Sequence, residues 1–266
     1  MTPTDDVFGS GRDFHEQWNE ELWDQMGRRA VAAAQIAPGA RVLDMCCGAG
    51  SSAIPAAAAA GPTGTVDAVD LSAGLLEAAR ERAERAGICS IRWHHQDADH
   101  WNGSGYDALI CCFGVFFFPD MDRTARHLIR SLRTGGRVVI TTWASTAMHE
   151  FVPTMFEVIR KFDPTVTEPT SRGPAARIDS VTKTKHWLNS IGLEQVDGHD
   201  LPLQVRLTSD SAWALVAGSG FRALLPPDER LWPQIADELW GQLEQRESTT
   251  ITLDAVLGTG LRPRHA

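Results

Sequence analysis

The chain lacks a basic surplus: 25 Lys and Arg stand against 34 Asp and Glu, a formal net charge of −9. Broad nucleic-acid binding needs clustered cations to neutralise phosphates, so this balance argues against it. Arg80, Arg82 and Arg85 do cluster, but Glu77, Glu81 and Glu84 interleave with them, and the spacing predicts a solvated helix face. Long hydrophobic runs are missing too: none reaches the ~18 apolar residues of a membrane span, and no N-terminal stretch resembles a signal peptide. A cytoplasmic location is therefore expected. Five cysteines (Cys46, Cys47, Cys89, Cys111, Cys112), an odd number with two adjacent pairs, do not look like a disulfide framework. No Cys/His group has zinc-ligand spacing, so no metal is expected, and the thiols are expected to pack, reduced, as small hydrophobes. There is only one tyrosine, Tyr106.

What the chain has is an apolar strand ending in a glycine turn. Arg41-Val42-Leu43-Asp44-Met45-Cys46-Cys47 runs into Gly48-Ala49-Gly50-Ser51-Ser52-Ala53, and Asp70 follows 20 residues after Gly50. This order reads as strand, turn, helix, and a second strand closed by a carboxylate. Glycines let backbone approach a ligand, and the helix N-terminus offers unpaired N–H groups. A carboxylate at the end of the second strand can accept from both hydroxyls of a ribose. The unit therefore suits an adenosine-containing cofactor.

Gly48-Ala49-Gly50-Ser51-Ser52-Ala53 satisfies the G-x-G-x-x-A dinucleotide fingerprint, which admits an NAD-dependent oxidoreductase. Three acidic strand ends favour another cofactor. Asp44 stands at the mouth of the first strand, where it would repel a pyrophosphate and suit an ammonium group. Asp70 ends the second strand. Gln96-Asp97-Ala98-Asp99 follows the third, where Asp97, with Asp99 as its rival, can accept from an adenine amino group. Such an electronegative cleft fits a sulfonium and an amino-acid ammonium better than two phosphates. The single tyrosine also leaves no Tyr-x-x-x-Lys pair for oxidoreductase chemistry.

Residues 42–50 resemble the first motif of the S-adenosylmethionine-dependent methyltransferases with a Rossmann-like fold. Residues 64–72 resemble that family's second strand, Phe113-Gly114-Val115-Phe116-Phe117-Phe118-Pro119-Asp120 the segment after its fourth, and residues 132–140 its fifth. The order and spacing agree over residues 25–145, and the nearest branch looks like the quinone and small-molecule methyltransferases. One departure is Cys46, where the family often has glycine. The resemblance implies S-adenosylmethionine as cofactor, S-adenosylhomocysteine as product, and a small-molecule methyl acceptor. It implies cofactor contacts from Asp44, Cys46, Gly48, Gly50, Asp70, Leu71, Asp97, Ala98 and Phe113.

Periodicity fills in the rest. Trp18, Leu22, Met26 and Ala30, at four-residue steps, predict helix over 14–36. Strands are expected at 41–45, 65–70, 91–95, 106–112 and 137–142. Helices are expected from Ser51 or Ser52 to Gly61, from Ser72 to near Gly87, and over 122–132 before Gly135-Gly136. Strand–helix alternation implies a doubly wound, mainly parallel α/β sheet, which binds ligands beyond its strands' carboxyl ends. Residues 1–10 are expected to be mobile. Further on, helices are expected at 148–163, 183–191, 209–223 and 228–245, a loop at 164–174, and strands within 193–206 and 249–257. The expected fold is a seven-stranded sheet with N-terminal helices and a helical lid inserted near the C-terminus. Its parts are a cap (1–36), a cofactor-binding core (37–145), and lid helices plus the last two strands (146–266).

Phe113, Phe116, Phe117 and Phe118 crowd the expected cleft edge, where one aromatic face could stabilise a sulfonium by ~0.5–2 kcal/mol. Phe117 and Trp143 are candidates for substrate contact, and His149 is the candidate general base. His15 and Trp18 could close over the site. Trp187, Trp213, Trp232 and Trp240 fall in the expected lid and suggest either an apolar pocket or a packed lid core. Adjacent His94 and His95 are expected to face opposite ways. The expected activity is methyl transfer to a small apolar or aromatic molecule. The alternatives are the NAD-dependent oxidoreductase and an S-adenosylmethionine-binding protein that does not methylate. The sequence leaves open whether O, N, C or S is methylated, and the oligomeric state.

Overall fold

The computed structural model describes residues 8–168 and 173–264. The expected mobile start lies, for residues 1–7, outside the described residues, as do 169–172 of the expected loop. Seven strands form the main sheet: β1 (Arg41–Met45), β2 (Thr65–Asp70), β3 (Ile91–His95), β4 (Tyr106–Cys112), β5 (Leu132–Trp143), β6 (Glu194–Leu201) and β9 (Ala255–Leu261). They lie in the order β3-β2-β1-β4-β5-β9-β6. All pairs are parallel except those of β9, which runs antiparallel to both neighbours. Short β7 (Gln204–Arg206) and β8 (Thr250–Thr252) form a separate two-stranded sheet.

Central strands are apolar because both faces are covered. Val42, Ala108, Ile110 and Val139 belong to one core with α2 (Asp24–Ala34) and α3 (Ala53–Ala60). Leu43, Leu109, Val138 and Ile140 belong to the other, with α5 (Met121–Ile129) and α7 (Val181–Ser190). α4 (Ala73–Arg85) opens on Ser72, whose Oγ accepts from the Leu75 N–H. Cys111 lies in one core and Cys112 against the other, as alternation along a strand demands. Cys89 is exposed, so not every thiol packs as a hydrophobe.

β1 to β4 match the expected bounds. β5 does not: it begins at Leu132, and α5 stops at Ile129. Gly135-Gly136 is a break in register within β5, with Gly135 at φ +76°, rather than the stop of a helix. The strand signal at 249–257 splits in two because Asp254 breaks the pairing. Its carboxylate accepts from the Leu203 N–H at 3.0 Å and its carbonyl from the Ala144 N–H at 2.9 Å, so the chain passes from the small sheet to the large one.

Before the sheet come α1 (Arg12–Glu16) and a π-turn over Asn19–Trp23 that leads into α2. Trp18, Leu22, Met26 and Ala30 are all buried. After β5 come α6 (Phe151–Phe162), then α7 packed on β6 and β9, then α8 (Ser209–Ala217) and α9 (Trp232–Gln245). Among the described residues no helix is long and apolar enough to cross a membrane.

The strand order reverses between β1 and β4, which opens a crevice at their carboxyl ends. The glycine turn leaves β1 there and Phe113 leaves β4 there.

Candidate active site

Asp44 is fully buried at the end of β1. Its Oδ2 accepts from the Ser52 hydroxyl at 2.8 Å, while its Oδ1 has no partner among the described residues. Burial pushes this carboxyl up to about 7, against the opposing pull of the Ser52 hydroxyl. Asp70 closes β2 and ties the turn to the next helix. One oxygen accepts from the Gly48 N–H and the other from the Ser72 N–H, both at 2.8 Å. Burial raises its pKa and these N–H groups oppose the rise. The Leu71 N–H also bonds this carboxylate, which leaves part of its accepting capacity for a ligand.

Gly48 has φ +51°, and a Cβ there would meet nothing closer than Leu75 Cδ1 at 4.0 Å. That open side is where a ligand can approach backbone. Cys46 is also left-handed, at φ +58°. Its side chain occupies the space that a Cβ on Gly114 would need, 2.5 Å from the Cys46 Cβ. The departure from glycine at position 46 is thus matched by a glycine after β4.

Beyond β3, Asp97 caps a short 3₁₀ turn that contains Ala98, accepting from the Asp99 N–H at 2.9 Å. Asp99 is committed to protein: Thr124 Oγ1 donates to one oxygen and Arg123 to the other, at 2.5 Å. This separates the two rivals in that loop and leaves Asp97 the freer carboxylate. Leu71, 38% exposed, and Phe117, 52% exposed, are the exposed large hydrophobic residues among those described. They follow β2 and β4, so the uncovered apolar surface borders the crevice. Phe8 lies between these strand ends, against Ala49 and Leu75 and edge-on to the Phe117 ring at 5.8 Å.

An aromatic wall forms at the ends of β4 and β5. The rings of Phe113 and Trp143 lie 4.3 Å apart, and the Trp23 ring meets them edge-on at 5.7 and 6.0 Å. His15 stacks on Trp23 with 5.0 Å between ring centres. The Gly218 carbonyl accepts from His15 Nδ1 at 3.1 Å, which leaves the lone pair on Nε2. Burial, helped by the Arg82 charge and opposed by the Gly218 hydrogen bond, pushes this imidazole down to about 4, so it is neutral near pH 7. Trp18 does not face the crevice; it is a core residue whose Nε1 donates to the Ser211 carbonyl.

The solvated-face reading of α4 holds for Glu77, Arg80, Glu84 and Arg85, which are exposed, and is corrected at Arg82. Glu77 and Glu81 pair with Arg12 of the N-terminal segment. Arg82 turns inward: its Nη2 reaches both oxygens of Asp24, at 2.7 and 2.8 Å, and its Nη1 donates to the Ala49 carbonyl at 2.8 Å. The Ser51 hydroxyl also donates to Asp24, at 2.7 Å. Gly27 allows this approach, since a Cβ there would lie 2.1 Å from the Ser51 carbonyl oxygen. Sequence reasoning missed Trp23, Asp24 and Arg82 as part of the site. A glycine inside an amphipathic helix was the available signal of close approach.

His149 is not brought into the crevice. It is exposed before α6, with Nδ1 on the Thr146 carbonyl at 3.0 Å and Nε2 3.6 Å from Glu150. His94 and His95 diverge, to Asp67 and to the Leu71 carbonyl. Trp187 is not part of the lid: it is buried between α7 and the sheet and donates to Asp122 at 2.7 Å. Trp213 and Trp232 pack on each other at 6.0 Å.

With that geometry in place, residues 10–166 match the ubiE/COQ5 methyltransferase family. The chain belongs to that family. An aklanonic acid methyltransferase of Streptomyces, DauC, is 30% identical over 138 residues, covering 51% of this chain and 63% of that protein. A Staphylococcus aureus demethylmenaquinone methyltransferase is 31% identical over 127 residues, covering 47% and 48%. An uncharacterized Mycobacterium tuberculosis protein is 34% identical over 151 residues, covering 56% and 52%. The chain thus spans about half the length of the curated relatives it matches first. Among solved structures, Bacillus subtilis YcgJ aligns at TM-score 0.57 and 19% identity, over 90% of this chain and 99% of that one. A Haemonchus contortus phosphoethanolamine N-methyltransferase 2, in complex with S-adenosyl-L-methionine, aligns at 0.58 and 15%, over 97% and 58%. At these identities the likeness is one of fold: the Rossmann-like α/β sheet of S-adenosylmethionine-dependent methyltransferases.

The residues present fit that cofactor. The partnerless Asp44 Oδ1 suits an ammonium donor, the open side of Gly48 admits a ligand against backbone, and Asp70 keeps accepting capacity for a hydroxyl beside the N–H groups it holds. A pyrophosphate would meet buried carboxylates instead.

Proposed function

We propose that the protein methylates a small apolar or aromatic molecule, using S-adenosylmethionine. The observation that carries this reading is the pairing, across the β1/β4 crevice, of an acidic glycine turn with an aromatic wall. S-adenosylmethionine supplies, when bound, an electrophilic methyl on a cationic sulfur, which an acceptor takes by in-line attack. Asp44 and the turn at Cys46, Gly48 and Gly50 hold the amino-acid end, Asp70 the ribose, and Asp97-Ala98 with Leu71 the adenine. Phe113 faces the positive charge and, with Phe117, Trp143 and Trp23, receives a flat acceptor. Much of the rate comes from positioning and from excluding water, which asks for no fixed catalytic constellation. His149, exposed on its own loop, has no part in this proposal.

The test is calorimetric titration with S-adenosylhomocysteine, S-adenosylmethionine and NAD, for wild type and Asp70→Ala. The expected result is binding of the first two, lost in the variant; binding of NAD alone overturns the proposal. Acceptors follow by measuring S-adenosylhomocysteine release, starting from aklanonic acid and demethylmenaquinone, the compounds named for two relatives. No release with any flat aromatic acceptor, from a protein that binds the cofactor, would point to a cofactor-binding protein that does not methylate.

A further inference from the structure

Arg82, Asp24 and Ser51 form a bridge that stands outside the residues a cofactor would touch, yet its centre is the cofactor turn. Arg82 comes from α4, Asp24 from the first residue of α2, and Ser51 from the turn itself. The Arg82 guanidinium grips the Asp24 carboxylate with Nη2 and the Ala49 carbonyl with Nη1, and lies 3.3 Å from Ser51 Oγ. Both charged side chains are shielded, 17% and 19% exposed. A two-pronged guanidinium suits this task, because one rigid plane spans two acceptors.

The turn needs such a hold. Ala49 lies between Gly48 at φ +51° and Gly50 at φ +84°, and glycines lose the most conformational freedom when ordered. Within the turn, the Gly50 N–H reaches the Cys47 carbonyl at 2.9 Å, and Asp70 holds the Gly48 N–H. Arg82 holds the Ala49 carbonyl. With the grip in place, the ligand does not meet the whole ordering cost.

We propose that Asp24 and Arg82 are positioning residues for the cofactor: they keep the Gly48–Gly50 turn in its binding conformation through the Ala49 carbonyl and Ser51. The proposal rests on reading that turn as the S-adenosylmethionine site. It also gives the N-terminal segment a task besides covering the crevice. Trp23 of the aromatic wall and Asp24 of the bridge are consecutive residues where the π-turn meets α2, so one segment braces the cofactor turn and walls the acceptor side.

The experiment is calorimetric titration of the full chain with S-adenosylhomocysteine, for wild type, Arg82→Met, Arg82→Lys and Asp24→Asn, with thermal unfolding of each. If the turn without its bridge holds the competent conformation in roughly a tenth of molecules, the apparent Kd rises about tenfold. Arg82→Met is expected to show that rise. Arg82→Lys, which keeps the charge and can reach one acceptor at a time, is expected to recover part of it. Asp24→Asn keeps shape and loses charge, and is expected to weaken binding less than Arg82→Met. A purely structural ion pair predicts the reverse pattern: a lower Tm with Kd unchanged within twofold at a temperature where every variant is folded. That result overturns the proposal. If wild type itself fails to bind S-adenosylhomocysteine, the cofactor reading falls, and this inference with it.

Discussion

Gly27→Ala should destabilise this protein, although alanine is the better helix former. In an unencumbered helix the exchange gains about 1 kcal/mol. Here the new methyl would lie 2.1 Å from the Ser51 carbonyl oxygen and 3.0 Å from the Ser52 nitrogen. Both obstacles are backbone, so no side chain can swing away. Clearing them needs α2 to retreat by roughly 1 Å. Overpacking of this kind costs about 1–3 kcal/mol, and the retreat strains the Ser51–Asp24 hydrogen bond, worth another ~1 kcal/mol or more. Taking the upper end for a backbone clash, the net loss is about 3 kcal/mol. For a chain of this size that lowers Tm by roughly 6–12 °C. The matched control is Gly241→Ala in α9, exposed and with nothing within 4 Å of an added Cβ. It should raise Tm by a few degrees. Thermal unfolding of the two variants, followed by circular dichroism, decides the sign. A Tm for Gly27→Ala equal to or above wild type would refute the close docking of α2 on the turn. Cofactor affinity should fall with the Tm in Gly27→Ala and stay level in Gly241→Ala.

Asp44 carries a pH signature. Its folded pKa of about 7 exceeds the ordinary 3.8, so the fold favours the protonated acid. The stability from this group is fully present below about pH 3.8 and is lost as pH rises toward about 7. An ammonium bound at Asp44 favours the carboxylate, so S-adenosylhomocysteine should bind more tightly at pH 8 than at pH 6 and release a proton at pH 6. Calorimetry in buffers of different ionisation enthalpy reads that proton, and a profile unchanged in Asp44→Asn would remove Asp44 from the binding site. The contact between position 46 and Gly114 should be non-additive. Gly114→Ala alone clashes with the Cys46 Cβ and should lose stability, while Gly114→Ala with Cys46→Gly should recover part of it, the Cys111 Sγ at 2.8 Å still standing in the way. A double variant no more stable than Gly114→Ala alone would show that the two positions do not share that space.

Sequence alone determined the order and type of the central elements. β1 to β4 and the Ser72 cap are written in local signals: short stretches rich in β-branched, aromatic and apolar residues, glycine turns and a serine at a helix start. Those signals act over a few residues, so they are legible without knowing what packs on what. The acidic residues at and just beyond the strand ends were legible for the same reason, since a strand's end is marked by its own pattern. What the sequence could not show depends on neighbours distant along the chain. The charges of α4 satisfy a solvated-helix pattern, and only the docking of α2 turns Arg82 inward onto Asp24, 58 residues earlier. The 249–257 signal continued across Asp254, and only pairing with two different sheets divided it. His149 had the right position in order and the wrong surroundings, because the Met148–Glu150 turn leaves it in solvent. The aromatic wall shows the same division: Phe113 and Trp143 were readable as strand-end aromatics, whereas Trp23 and His15 join them through the π-turn and the contact at Gly218. Local periodicity specifies which elements form; long-range packing decides which polar and aromatic groups those elements bring together.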